Sequence, residues 1–481
     1  MDDLRRRFAA LDDLPTPDLW DEIELRAAAL GSAQRATRVP VPIPVRSRGF
    51  SGRMALALLV AAAVLVGLMA GAISVGSRLI QPHPAPMPIA PATPIASDQL
   101  APSPASTPTL TTGRFVSAGS LVEGRAWHSA LALPDGRVLL VGGEGSHAAH
   151  GGNGLDSIEV WDPIGGDSVA SGEMQRATYG DQYVGPHLFQ MTDGRSLLVP
   201  TGCVCGPAPA STPAQVWDQV SGAKPLETLE VRRVAYTATQ LADGRILIAG
   251  GVPGLIGDAL ASAEIWDPVA GTVEPTGAMS VARADAAATL LPDGRVLIVG
   301  GATRSDSTTF VTPVSEAEIW DPASGTFSTA FTHEFGPGGS PGGDLALFAV
   351  TLRDGRVLVL NHEGAHVWDP TTNTLSAAGT YRDARHEFSA TLLADGRVLV
   401  SGGSQELPGD GRSSIASTEI WDPSTLSFEP GPDLTEARAG HTATLLPDGR
   451  VLIVGGFRSA GLALDALAST ELWEPVAASG Q

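Results

Sequence analysis

An all-β ring of seven four-stranded units is predicted for residues 113–481 of this 481-residue chain by three observations. The tripeptide Asp-Gly-Arg recurs at one place in each of seven units, beginning at Asp135, Asp193, Asp243, Asp293, Asp354, Asp395 and Asp448, with one further copy out of register at Asp410. One tryptophan follows each copy, at Trp161, Trp217, Trp266, Trp320, Trp368, Trp421 and Trp473, often within "EIWDP". The last unit stops one strand short, and a matching strand, "GRFVSAGSL" at 113–121, stands before the first. Units of about 50 residues with four strands each are the blades of a β-propeller.

Within a unit the strands, here a to d, follow from the pattern. Asp-Gly between two short apolar runs, as in "TLLPDGRVLIVGG" at 289–301, predicts a tight a–b hairpin with both Asp and Gly at positive φ. Strand c carries the Trp, and the Trp-Asp-Pro turn leads into an exposed strand d such as "GTVEPTGAM" at 271–279. Aligning Gly113 on Gly271 and Phe115 on Val273 makes 113–121 the fourth strand of blade 7, a closure that leaves the ring no free sheet edge.

The N-terminal 112 residues divide differently. Residues 1–53 contain one short amphipathic helix, with Thr16 as N-cap, Pro17 in its first turn and Leu19, Trp20, Ile23 and Leu30 along one side. Residues 54–75 carry no charge over 22 positions and are long enough to cross a bilayer, so 54–79 is read as a transmembrane helix with its flank. Arg35, Arg38, Arg46, Arg48 and Arg53 precede it and only Arg78 follows closely, which puts the N-terminus in the cytoplasm and the ring outside. Residues 80–112 hold nine prolines among Ala, Ser and Thr and are read as a stalk. A net charge of −21, with Lys224 the only lysine among 31 basic residues, excludes a nucleic-acid partner.

These repeats resemble the kelch family, whose blades carry a Gly pair ending strand b, an aromatic residue on strand c and an Arg entering the next blade. The likeness spans about residues 113–475. It is to the secreted bacterial kelch-like propellers, related in fold to the central domain of galactose oxidase. It departs in the second aromatic position, held by Phe327, Phe428 or aliphatic residues. The resemblance implies a bacterial propeller, and with the span at 54–75 the chain is expected to be a single-pass protein of the cytoplasmic membrane displaying that propeller outside.

Comparing the units with one another brings out the candidate residues. Ten positions before Asp-Gly-Arg, units 1, 3, 4, 6 and 7 have Arg125, Arg233, Arg283, Arg385 and Arg438. The same five have Glu159, Glu264, Glu318, Glu419 and Glu471 two residues before Trp. They also have the pairs Gly142-Gly143, Gly250-Gly251, Gly300-Gly301, Gly402-Gly403 and Gly455-Gly456; units 2 and 5 lack all three features. A set that travels together reads as structural Arg–Glu pairing with close backbone approach, while a ring of five Arg near a channel is also the candidate site for an anionic ligand. On the rim of the b–c loops, where the sequence varies most, His147 and His150 are further ligand candidates.

Metal chemistry has one apparent signature. His362, Glu363 and His366 spell His-Glu-x-x-His, which holds zinc only when a helix aligns the two imidazoles. Here the motif falls on the b–c hairpin of unit 5, so protease activity and a cofactor are not expected. A three-residue turn would set His362 opposite His366, which keeps those two as the metal candidates. Cys203 and Cys205 fit a loop disulfide, free thiols or a soft-metal site equally.

The sequence therefore predicts a non-catalytic module binding a protein or glycan through its b–c rim, with the bilayer as partner of residues 54–75 and a cytoplasmic protein as partner of residues 16–30. The alternatives are a kelch-type sugar enzyme such as an epimerase or oxidase, and a sensor coupled to a cytoplasmic segment resembling anti-sigma proteins.

Overall fold

The computed structural model describes residues 112–146, 154–175, 185–201, 212–231, 233–253, 257–303, 312–335, 347–407, 411–461 and 463–476. The helix expected at 16–30, the span at 54–75, the stalk, His147, His150, Cys203 and Cys205 lie outside them. Among the described residues every regular element is a strand, and no helix is long and apolar enough to cross a membrane.

Seven four-stranded antiparallel sheets form the seven blades of a propeller. Blade 1 takes Ser129–Ala132, Val138–Val141, Ser157–Trp161 and Ser168–Glu173 as strands a to d. Blade 5, the counterpart without the Arg, Glu and Gly set, takes Phe348–Thr351, Val357–Leu360, Gly364–Asp369 and Thr374–Thr380. The b strands, such as "VLLV", "VLIV" and "VLVL", are buried throughout and apolar at every position but Ser196 and Ser401, because a blade's middle is covered by neighbours on both faces. Strand d is mostly exposed, and its sequence is correspondingly polar.

Among the described residues the core is divided into one main cluster at each of the seven junctions between blades and two small ones, around Val252 and around Phe457. Leu139, Val141 and Val160 of blade 1 pack on Leu198 and Trp217 of blade 2, and the pattern continues to Leu452 and Val454 of blade 7 against Val138, Leu140 and Trp161 of blade 1. The repeating Trp is the wedge at each junction, and five of the seven are fully buried. At about 200 Å² of ring surface and roughly 25 cal/mol per Å², each contributes on the order of 5 kcal/mol as an upper bound.

The ring closes as the sequence pattern requires. Thr112–Ser120 pairs antiparallel with Ser469–Val476, with Thr112 opposite Val476, Phe115 opposite Trp473 and Ser117 opposite Glu471. Strand a of blade 1 lies against strand a of blade 7, so the first strands line the centre of the ring.

The a–b turns differ from the expected hairpin. Only the Gly is left-handed, for example Gly136 at φ 88°, and Asp135 is not. The loop has three residues, closed by Gly136 N–H to the Leu133 carbonyl at 2.9 Å and Leu133 N–H to the Arg137 carbonyl at 2.8 Å. Asp135 Oδ1 accepts Arg137 N–H at 3.1 Å and its Oδ2 accepts Arg137 Nε–H at 2.8 Å. That grip holds Asp135 outside the left-handed region and produces a bulged three-residue turn, for which one Gly suffices. A second departure lies on the opposite rim, where b–c segments expected as loops form strands. Ser404–Leu407 and Gly411–Ser414 of blade 6 join Phe457–Gly461 and Ala463–Ala466 of blade 7 in one extra antiparallel sheet.

Candidate functional site

The five arginines enter their blades on the d–a crossings, just before strand a. Arg125, Arg283, Arg385 and Arg438 are buried completely or nearly so. Arg125 Nη1 donates to the Gly142 carbonyl at 2.9 Å and the Ser157 carbonyl at 3.2 Å, and Nη2 to Glu159 Oε1 at 2.5 Å. Arg283–Glu318, Arg385–Glu419 and Arg438–Glu471 repeat the pair at 2.6, 2.6 and 2.8 Å. Each Glu also accepts amides of the crossing itself, as Glu471 does from Thr435 at 2.7 Å and Glu436 at 3.3 Å. The guanidinium thus ties the b–c hairpin to the crossing, and its charge is met by a carboxylate that caps that crossing. These four side chains turn into the blade rather than toward the channel. Arg233 is looser, 3.5 Å from Glu264.

The Gly pairs follow from the same packing. A Cβ on Gly402 would stand 2.5 Å from the Arg438 carbonyl and 2.9 Å from His441 Cε1 of the next blade, and Gly402 has φ 55°. Blade closure therefore requires a residue with neither a side chain nor a bar to positive φ.

Two residues beyond each Arg, the crossing turns through the left-handed region. Trp127 (φ 50°), Ala235 (55°), Asp285 (56°), Glu387 (52°) and Gly440 (φ 61°) share that place. The conformation is tolerated because backbone bonds run from blade to blade: Gly185 N–H to Trp127, Trp127 N–H to Gly440 and Gly440 N–H to Glu387, at 2.8, 2.8 and 2.9 Å. Asp285 N–H reaches the Ala235 carbonyl at 2.8 Å. This belt around the channel mouth turns one residue in each of five blades to positive φ, a backbone state that clusters at functional sites.

Beneath the belt lies an open cavity of about 540 Å³, within the range of small-ligand sites, lined by Trp127, Ser129, Phe348, Glu387, His441 and Thr444 among others. Glu387 is the charged residue of its lining. Burial pushes its carboxyl above the ordinary range, opposed by hydrogen bonds from the Ser404 hydroxyl and the Trp127 side chain. The Ser404 bond measures 3.0 Å, and Arg412 Nη1 stands 3.9 Å away. Trp127 packs on Phe457, ring centroids 4.7 Å apart, and Gly440 leaves room for both rings. His128 and His441, also in the wall, are held below the ordinary imidazole range by burial and by the nearby Arg125 and Arg438, His441 to about 3. The cavity can thus offer an aromatic face, several hydroxyls and one carboxyl biased toward protonation.

Sequence reasoning passed over Trp127, Glu387, Ser404 and Arg412. For Trp127 and Glu387 the available signal was the position two beyond each Arg, which holds Trp, Ala, Asp, Glu or Gly although the Arg itself is shared by all five units. The metal candidates are not brought together. Asn361 accepts the amides of Glu363 and Gly364 at 3.0 and 2.9 Å, which puts His362 at the tip of the turn. There His362 stacks on His386 at 5.2 Å, while His366, across from Val359, packs on His333 at 4.4 Å. The turn between Asn361 and Gly364 has two residues, the case in which the two imidazoles do not stand opposite each other.

No protein-family profile and no curated protein matches the chain. Among solved structures it is similar to a fungal alcohol oxidase of the AA5 family in complex with copper, at 17% identity and a TM-score of 0.52, covering 76% of either chain. It also matches YjhT at 12% identity and a TM-score of 0.42, covering 73% of this chain and 96% of that one. The first likeness establishes the propeller fold and nothing of its chemistry.

Proposed function

We propose that the chain is a membrane-anchored kelch-type propeller whose b–c rim and channel-mouth cavity bind a protein or glycan ligand without transforming it. The carrying observation is the convergence of Trp127, Glu387 and several hydroxyls on one open cavity, with Phe457 and Ser404 of the extra sheet packed on Trp127 and bonded to Glu387. An aromatic face beside hydroxyls and a carboxyl suits a hydroxylated or peptide-like ligand. Residues 54–75 supply the anchor in this reading, and the propeller stands outside the cell.

One observation favours a second reading, a kelch-type sugar enzyme. Glu387 combines burial, a raised pKa and a cavity, which is the environment of a general acid. A glycan array followed by titration calorimetry on the intact protein separates the two. The binding reading expects Trp127→Ala to abolish the heat signal and Glu387→Gln to weaken it, with the ligand recovered unchanged by mass spectrometry. Recovery of a modified ligand, lost in Glu387→Gln, would replace it with the enzyme.

A further inference from the structure

We infer that the rim carrying the a–b and c–d turns is the face the propeller lays on a lipid bilayer, with Ile164, Val220 and Val269 entering the lipid interface. This rests on the anchoring by residues 54–75 proposed above, and two independent features of the ring lead to it.

The first is where the chain enters. Thr112, the first described residue, pairs with Val476 at the c–d end of blade 7. The preceding chain therefore leaves the ring on the turn-bearing rim, opposite the cavity and the variable b–c segments. Residues 80–111 span up to about 100 Å if extended as polyproline, and far less as a relaxed chain, so that rim can reach the surface crossed by residues 54–75.

The second is an arc of aliphatic tips. Three residues past the Trp, blades 1, 2 and 3 have Ile164, Val220 and Val269, exposed by 95%, 98% and 78%. Blades 4, 5 and 6 have Ala323, Thr371 and Ser424 at that place, and blade 7, next to blade 1, has Val476. The turn itself favours the polar choice: Thr371 Oγ1 and Ser424 Oγ each donate to the Asp that caps the turn, both at 2.6 Å. Ile164, Val220 and Val269 use only their amides, at 2.7, 2.9 and 2.9 Å, and hold their side chains in water. Isolated exposed aliphatics need no explanation, whereas a consecutive set against local preference, beside the chain entry, points to an apolar surface.

Charge narrows the mode of contact. The a–b turns carry internally paired Asp and Arg, and the c–d turns add acidic caps such as Asp162, Asp218 and Asp267, which with neighbours such as Arg137, Arg195 and Lys224 leave this rim no excess of positive charge. Attraction to anionic headgroups is absent from this rim, so the contact is apolar insertion and insensitive to salt.

The test uses the full chain in phosphatidylcholine nanodiscs, with Cys203→Ser and Cys205→Ser and one new cysteine carrying an environment-sensitive fluorophore. The cysteine is placed by Gly165→Cys beside Ile164, or by Ser324→Cys at the equivalent place in blade 4. Lipid-borne spin labels are expected to quench the first several-fold more than the second, equally at low and high salt. Adding Ile164→Asp, Val220→Asp and Val269→Asp should erase the difference. Equal quenching at the two sites in chains that stay with the discs overturns the rim inference and leaves the anchor standing. A difference that survives the triple substitution overturns the role of the tips. Chains that a high-salt wash strips from the discs overturn the anchor, and this inference falls with it.

Discussion

Blades 1, 3, 4, 6 and 7 differ from blades 2 and 5 at one place, the crossing into strand a. In the five, an Arg, a Glu and a Gly pair form a single linkage: the Arg needs the Glu to be buried, the Glu needs the crossing's amides, and the crossing needs the Gly to approach. In blade 2 the Glu position holds Gln215, which accepts Gln175 N–H at 2.7 Å and donates to the Gln175 carbonyl at 2.9 Å. In blade 5 it holds His366, packed between His333 and Phe335. A neutral amide or an aromatic stack does the joining where no guanidinium has to be met. The linkage is lost whole or kept whole because any one member left alone is a buried charge or a steric clash.

The sharpest way to break the comparison is within the five. Arg438→Ala leaves the Glu471 carboxylate buried without its guanidinium and is expected to cost about 3–5 kcal/mol. Arg233→Ala, at the looser 3.5 Å pair, should cost only about 1 kcal/mol. Thermal melting of both variants, followed by near-ultraviolet circular dichroism of the buried Trp residues, should show that ordering. Equal losses would mean that the linkage is not what joins the blades.

Gly402→Ala forces a Cβ against the Arg438 carbonyl at positive φ, which should cost roughly 2 kcal/mol or more. Gly136→Asn, in an a–b turn with open space around it, should stay within about 1 kcal/mol by the same melting assay.

Importing one member of the linkage into blade 2 should harm it. Gln215→Glu replaces an amide donor with a second acceptor facing the Gln175 carbonyl, an expected loss of about 1–3 kcal/mol at pH 7. Acidification should recover part of that loss as the carboxyl protonates, which a melting series from pH 7 to 4 would reveal.

The same series on the unaltered chain should fall toward acid. His128, His187 and His441 are neutral in the fold because burial lowers their pKa values, to about 4 for His187 and about 3 for His441. The unfolded chain binds protons near pH 6.5, so stability is full above that pH and is lost progressively as pH drops toward the folded values. A melting temperature flat from pH 7 to 4 would contradict their burial. The smallest effect is expected for His362→Ala, which removes a partly exposed stacking ring at the tip of a turn and should change stability by no more than about 0.5 kcal/mol.

The fold was legible because it is repeated. Seven in-register copies of Asp-Gly-Arg and Trp mark the strands, and a displaced fourth strand marks the closure, since that strand carries the pattern of its blade although it stands at the other end of the repeats. The pairing of Arg125 with Glu159 was also legible, because a linkage kept or lost whole announces itself when units are compared. The turn type was misjudged, because Asp-Gly serves both two- and three-residue hairpins and the Asp135–Arg137 grip decides between them. The channel-mouth cavity was out of reach: Trp127, Glu387 and Ser404 come from crossings and loops of blades 1 and 6, far apart in the chain. Local pattern determines a blade, because a blade's hydrogen bonds close within about 50 residues of sequence. What faces the channel is decided only when seven blades meet, since the left-handed turn at Trp127 or Glu387 is held by a carbonyl or amide of another blade.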